Sequence, residues 1–374
     1  MLNMKKRNLA VLFLFTFLFS ASVFGQINVQ DLHEHDEDGH PSFIQYGDLS
    51  IHFLELGNKY TGDCIYINYG DIDIIIDAGS KQASAATITA YIDNYISDGK
   101  IEYLIATHAH EDHIAGFYST KNVTGIFEYY EIGMVIDFPR TNSNTATYNN
   151  YMNARNKAAA NGTIHYTALQ CFNNEDGAQR IYDLDENIQL EILYNYYYEN
   201  RAGNENNYSV CVRIVQGENQ YIFTGDLESD GEDRLADFYG ENFGGLGHCV
   251  LYKGGHHGSN TSASVKLMAA ISPEYVCICS CAGSSEYRAA PQNVFPSQGF
   301  IDRIAPYTDK VYITTFVPDY SGNRFMSMNG NIIFLVSQEN ITVLCSNNDI
   351  ILKDTEWFLE NRQMPEAWRK EDFP

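Results

Sequence analysis

The apolar stretch KIEYLIA, residues 100–106, runs directly into THAHEDH, which sets His108, His110, Asp112 and His113 within six positions. A short apolar run rich in Ile, Leu and Tyr reads as a buried strand. Four groups that bind divalent metal when deprotonated therefore stand at a strand end, and the fold must bring that end to a site. In extended backbone, residues i and i+2 share a face, so His108 and His110 can converge on one ion. Asp112 and His113 follow after a turn and point elsewhere. The spacing suits two ions rather than one.

The remaining ligands should lie at other strand ends where glycine lets the backbone bend. Asp77 closes DIDIII, Asp226 closes FTGD, and His256 or His257 lies in GGHHGS. A carboxylate between two ions roughly 3.5–4 Å apart can bridge them, and such a pair holds a hydroxide at neutral pH. Asp226 is assigned that bridge. Imidazoles and carboxylates without thiolate suit zinc, with Mn or Fe also compatible. One histidine in a loop is ordinarily a packed or surface residue; this combination at three strand ends is not explained by packing. Ligands on glycine-rich loops, rather than in a closed tetrahedral knot, point to catalysis.

The first residues set the compartment. Lys5, Lys6 and Arg7 precede the apolar run Leu9–Phe19 and the small residues of SASVFG, the pattern of a secretory signal peptide cleaved after Gly25. The run is too short to span a bilayer, which takes roughly 20 residues, and no later stretch reads as a stable membrane span. Cleavage removes three basic and no acidic residues, which takes the formal net charge from −24 to −27. Such a field repels polyanions, and no Lys/Arg cluster offers a local groove, so nucleic acid is disfavoured as a partner. A small-molecule or cell-envelope substrate fits better. Oligomeric state is not legible.

Residues 26–48, with HEHDEDGH, read as an acidic, His-containing linker. Residues 49–349 read as one α/β domain, because strand patterns (LSIHF, CIYINY, DIDIII, YVCICSC, KVYITTF, NIIFLVS) alternate with helical ones (SAATITAYIDNYISDG, closed by Gly99; YNNYMNARNKAAANG; SASVKLMAAIS). SVCVRIVQGENQYIFTGD reads as a hairpin turning near Gly217. Cys277, Cys279 and Cys281 alternate along one strand and share a face; buried thiols are expected rather than disulfides. Residues 350–374 form a tail, helical, docking Trp357 and Trp368.

With these residues in view, the chain resembles the metallo-β-lactamase superfamily, whose H-x-H-x-D-H signature THAHEDH matches, followed in order by FTGD and GGHHGS. More narrowly it resembles the domain of that kind in ComEC-type DNA-uptake proteins and in secreted phosphorylcholine esterases, from IHFLELG to SPEYVCICS. The resemblance implies an α/β, four-layer αββα sandwich with two divalent metal ions. It implies His108 and His110 on the first ion, Asp112 and His113 on the second, and Asp226 between them. His257 closes the second set, His256 faces the substrate, and Asp112 and His256 take part in the chemistry. Asp77 lies behind the ligands, orienting them through hydrogen bonds.

Two departures follow. Relatives that cleave lactams, thioesters and lactones carry a further histidine between the signature and the bridging aspartate. Here the only histidine in that interval is His165, in TIHYT, which reads as an interior strand. In the DNA-uptake-like group an Asn-rich stretch stands there instead, so Asn206 or Asn207 of NENNYS could fill the gap. His110 in place of glutamate excludes the flavodiiron oxidoreductases, and no membrane channel accompanies the domain. The expected function is a secreted or periplasmic hydrolase of a phosphoester, foremost a phosphodiester, through a metal-bridging hydroxide. An amide, lactone or thioester hydrolase is the alternative at the same site, and a metal-dependent binding module the alternative of another class.

Overall fold

The computed structural model describes residues 48–287, 293–337 and 340–369. The expected leader (1–25), nearly all of the expected linker and the last five residues lie outside them. In chain order the strands are β1 (Leu49–Phe53), β2 (Ile65–Tyr69), β3 (Ile72–Ile76), β4 (Lys100–Ala106), β5 (Glu131–Asp137), β6 (Ile164–Thr167), β7 (Ile181–Asp185), β8 (Ile188–Leu193), β9 (Cys211–Gln216), β10 (Asn219–Phe223), β11 (Leu251–Lys253), β12 (Tyr275–Ala282), β13 (Val311–Asp319), β14 (Arg324–Ser327), β15 (Ile332–Ser337) and β16 (Asn340–Cys345). The helices are α1 (Ser84–Ile92), α2 (Glu111–Ile114), α3 (Ile126–Tyr129), α4 (Ala146–Ala160), α5 (Ala168–Asn173), α6 (Ser229–Phe243), α7 (Val265–Ile271), α8 (Gln298–Ile304) and α9 (Glu356–Asn361).

Strand alternation assigns the layers. On β1, His52 turns outward onto Tyr91 and Tyr95 beside α1, while its neighbour Phe53 turns inward onto Phe223 of β10, 6.4 Å between ring centres. On β12, Cys277 and Cys279 enter the core between the sheets, and Val276 and Ile278 pack with Leu267 of α7 and Phe300 of α8. Two eight-stranded sheets result, ordered β16-β15-β1-β2-β3-β4-β5-β6 and β14-β13-β12-β11-β10-β9-β8-β7. With α1 to α4 outside the first and α6 to α8 outside the second, the architecture is the αββα sandwich.

Within each sheet one half is parallel: β3 to β6, and β10 to β13. The carboxyl ends of β3 and β4 thus lie beside those of β10 and β11, where open α/β sheets keep their sites. The amide of Val210 donates to the Thr107 carbonyl at 2.9 Å and ties the two edges together.

TIHYT is an edge strand, not an interior one: β6 ends its sheet and its residues are half-buried or exposed. Its His165 turns to Asp137 (2.9 Å), which also holds Arg155 and Tyr151. Helix α1 stops at Ile92, and Gly99 serves the turn into β4 at φ +72°. All eight cysteines are buried and unpaired. In the tail, Trp357 and Trp368 are buried, and the Trp368 indole donates to the Thr308 carbonyl at 2.8 Å. Among the described residues no helix is long and apolar enough to cross a membrane.

Candidate metal centre

Beyond Ala106 the chain bends at Ala109 and reaches His110, whose extended backbone (φ −75°, ψ 151°) caps the one-turn helix α2. The helical turn separates the ligands. Before it His108 Nε2 and His110 Nδ1 converge to 3.0 Å. On the helical turn His113 faces the other way, its Nε2 3.1 Å from Asp226 Oδ2 and its Nδ1 2.7 Å from Asp77 Oδ2. The two groups still abut, with the His108 and His113 rings 4.1 Å apart.

Three loops interlock to hold this arrangement. Asp63 N donates to the Asp112 carbonyl, Gly79 N to the Asp63 carbonyl and Ala78 N to the His113 carbonyl, at 2.7–3.1 Å. A side chain at Gly79 would place Cβ 1.5 Å from the Asp112 oxygen, so only glycine permits the approach. Gly225, at φ +54° and against Thr107 and Ser209, does the same for Asp226.

Asp77, His256 and His257 all adopt left-handed backbone, at φ 61°, 45° and 54°. Such conformations cost of order 1–3 kcal/mol per residue and persist where surrounding structure enforces them, typically at functional sites. The consequence is that both imidazoles of GGHHGS reach the site at different depths. His257 is buried, its Nε2 3.3 Å from Asp226 Oδ2 and 3.5 Å from Asp112 Oδ2. His256 has a side chain 20% exposed, with Nε2 3.9 Å from Asp226 and 3.2 Å from the Asn206 amide nitrogen. Its Nδ1 meets Thr261 Oγ1 at 2.9 Å.

The donor set fits divalent ions. Of eight buried side-chain N and O atoms without a hydrogen-bond partner among the described residues, four belong to His113, Asn206, Asp226 and His257, and two more to Asp63, whose oxygens face the Lys253 ammonium and His257 Nδ1. Buried polar atoms are otherwise nearly always satisfied, so this concentration needs a partner of another kind. Two atoms bound to one zinc at about 2.0–2.1 Å in tetrahedral geometry lie about 3.3 Å apart, close to the 3.1 and 3.3 Å from Asp226 Oδ2 to His113 Nε2 and His257 Nε2. Without an ion the site holds protons instead. Burial acts against charge on His113 and His257, yet the adjacent Asp226, with Asp77 or Asp63, holds both well above the usual histidine range. Burial acts against ionised Asp226 too, and is outweighed by His113, His257, His256 and Lys253, which hold it well below the carboxylate range. His108, buried beside His113 and His110, is pushed down, and burial lowers His256 to about 4.

Each residue expected from the sequence lies in this one edge: His108, His110, Asp112, His113, Asp226, His256 and His257, with Asp77 behind His113. The two asparagines separate. Asn207 Oδ1 accepts from the Glu228 amide at 3.1 Å, whereas Asn206 Oδ1 is buried and unpaired. Three residues were not anticipated. Asp63 groups with His113, Asp226 and His257 within 4.8 Å, and the fully buried Lys253 contacts both Asp63 and Asp226. The available signals were charged residues flanking apolar strands, in TGDCIYIN and VLYKGG. Tyr287 also reaches the site, donating to Asp112 Oδ2 at 2.8 Å.

Residues 57–131 match the model of the metallo-beta-lactamase superfamily. Over 77 residues, 21% of this chain, the sequence is 42% identical to competence protein ComA of Neisseria gonorrhoeae, and the match spans 11% of that protein's length. Among solved structures, the metallo-beta-lactamase fold protein YhfI from Bacillus subtilis aligns over 72% of this chain and 96% of its own (12% identity, TM-score 0.40). A probable metal-dependent hydrolase from Staphylococcus aureus aligns over 82% of this chain and all of its own (14% identity, TM-score 0.33).

Proposed function

We propose that this protein is a metal-dependent hydrolase of the metallo-β-lactamase superfamily and cleaves a phosphoester, foremost a phosphodiester, at a centre for two zinc ions. The observation that carries the reading is the convergence of the unpaired Nε2 atoms of His113 and His257 on Asp226 Oδ2, beside the His108–His110 pair. When bound, two divalent ions supply an activated water at neutral pH and neutralise the anionic oxygens of the substrate.

The protein's own residues supply the rest. Asp226 Oδ2 lies 3.1 and 3.3 Å from His113 Nε2 and His257 Nε2, and would be the carboxylate shared with the His108–His110 group. Asp112 is kept ionised: burial opposes its charge, but His257 and His113 hold it well below the carboxylate range. His256, pushed down to about 4 by burial, is neutral at pH 7. It therefore faces the substrate as a neutral imidazole rather than as an imidazolium. Thr261 and Asn206 on its two ring nitrogens set its orientation, and the partial exposure of its side chain puts it at the mouth. Preference for phosphorus is supported by the ligand pattern: His165 is engaged with Asp137 at a sheet edge, and the amide of Asn206 occupies the interval instead.

The leader-like residues 1–25 support export, and the acidic surface supports a small or envelope-derived substrate over a polynucleotide. The test is hydrolysis of bis(p-nitrophenyl) phosphate by the zinc- or manganese-loaded protein beside His108→Ala. Metal-dependent turnover lost in the variant supports the proposal. No turnover from protein holding two ions, with cleavage of a lactone, thioester or nitrocefin, would replace phosphorus by carbonyl carbon.

A further inference from the structure

Lysine is seldom fully buried unless paired, yet Lys253, at the end of β11, has no exposure to solvent. Its ammonium touches Asp63 Oδ2, donates to the Gly225 carbonyl at 3.0 Å and lies 3.5 Å from Asp226 Oδ1. The other oxygen of Asp63 reaches His257 Nδ1 at 3.0 Å, a nitrogen that also meets the Cys279 carbonyl at 3.0 Å. The path Lys253, Asp63, His257 thus parallels the one behind His113. There Asp77, held by the amide and hydroxyl of Thr107 at 2.8 and 2.7 Å, backs Nδ1 and leaves Nε2 toward Asp226. Carboxylates behind metal-binding imidazoles fix ring orientation and tautomer.

By proximity alone Asp63 would count as a ligand. Its oxygens, however, are engaged by Lys253 and by the far side of His257, whereas the nitrogens turned toward Asp226 are the Nε2 atoms. A buried ion pair adds little net stability over apolar residues of the same volume, so direction is what the pair contributes here.

We propose that Asp63 and Lys253 are positioning residues, a buried ion pair that turns His257 Nε2 and one oxygen of Asp226 toward the second ion while binding neither ion nor substrate. This rests on the metal centre of the preceding section, so zinc stoichiometry of the wild-type protein is read first. Fewer than two ions there would remove that centre itself, and this proposal with it.

Either single substitution leaves a buried charge unpaired, so the informative variant is the double one, Asp63→Asn with Lys253→Met. It should fold, with the circular dichroism of the metal-free wild type, and keep one ion at wild-type affinity. The second should bind at least ~10-fold more weakly in competition with a chromophoric chelator. Two ions at wild-type affinity would overturn the proposal. A measurement on the intact protein decides the matter if the double variant does not fold. In 15N-histidine spectra of the zinc-loaded wild type, His257 should carry its proton on Nδ1 and zinc on Nε2. Zinc on Nδ1 would overturn the proposal.

Discussion

His113 Nε2 lies 3.1 Å from Asp226 Oδ2, with both side chains buried and no hydrogen bond of good geometry to that nitrogen. The pair attracts a proton when no ion is present, and this has a consequence for stability. His113 and His257 have folded-state pKa values raised above the unfolded one near 6.5. The native state then binds more protons than the unfolded state above that pH, and stability falls as pH rises. Ions require the same nitrogens deprotonated, so their affinity rises with pH. Metal-free protein should therefore melt at lower temperature at pH 8 than at pH 6, and the increase in Tm on adding zinc should be larger at pH 8. Melting curves in chelator and in zinc at the two pH values check both signs.

Asp77 receives three donors: the Thr107 amide, the Thr107 hydroxyl and His113 Nδ1. Asn tolerates its left-handed backbone but offers one oxygen where two are used. Asp77→Asn should weaken zinc binding by about 10–100-fold, read by chelator competition. Unchanged affinity would mean that His113 needs no carboxylate behind it.

Asn206 and Asn207 should respond differently to alanine. Asn207 accepts from the amide of Glu228, the residue that caps α6, so Asn207→Ala should cost about 1 kcal/mol of stability, measured by urea unfolding. Asn206 has its carbonyl free and its amide on His256. Asn206→Ala should leave the unfolding midpoint nearly unchanged and lower kcat for the phosphodiester.

Tyr287 donates to Asp112 Oδ2. A hydrogen bond to a charged group is worth about 1.5–3 kcal/mol, so Tyr287→Phe should lower kcat/KM about 10-fold or more while two ions remain bound. Tyr129→Phe, which loses a comparable contact to Asp93 far along the chain, should match the wild type.

Much of this centre was legible because its ligands follow apolar strands directly. The period-two spacing of His108 and His110 foretold their convergence, and strand ends pointed to Asp77 and Asp226. What was not legible depends on tertiary approach. Asp63 precedes β2 and meets the site only because Gly79 lets three loops close on one another. Lys253 looks like an ordinary strand-end lysine until β11 is placed beside β10. The identity of the asparagine with the free carbonyl follows from which side chain accepts the Glu228 amide. The edge position of β6 is likewise a matter of sheet order, which TIHYT alone does not encode.

The most direct test of the central claim is anomalous diffraction at the zinc edge from crystals of the loaded protein. Two peaks roughly 3.5–4 Å apart are predicted, one at His108 Nε2 and His110 Nδ1, the other at His113 Nε2 and His257 Nε2, with Asp226 between them. A single peak, or ions bound away from Asp226, would contradict the account.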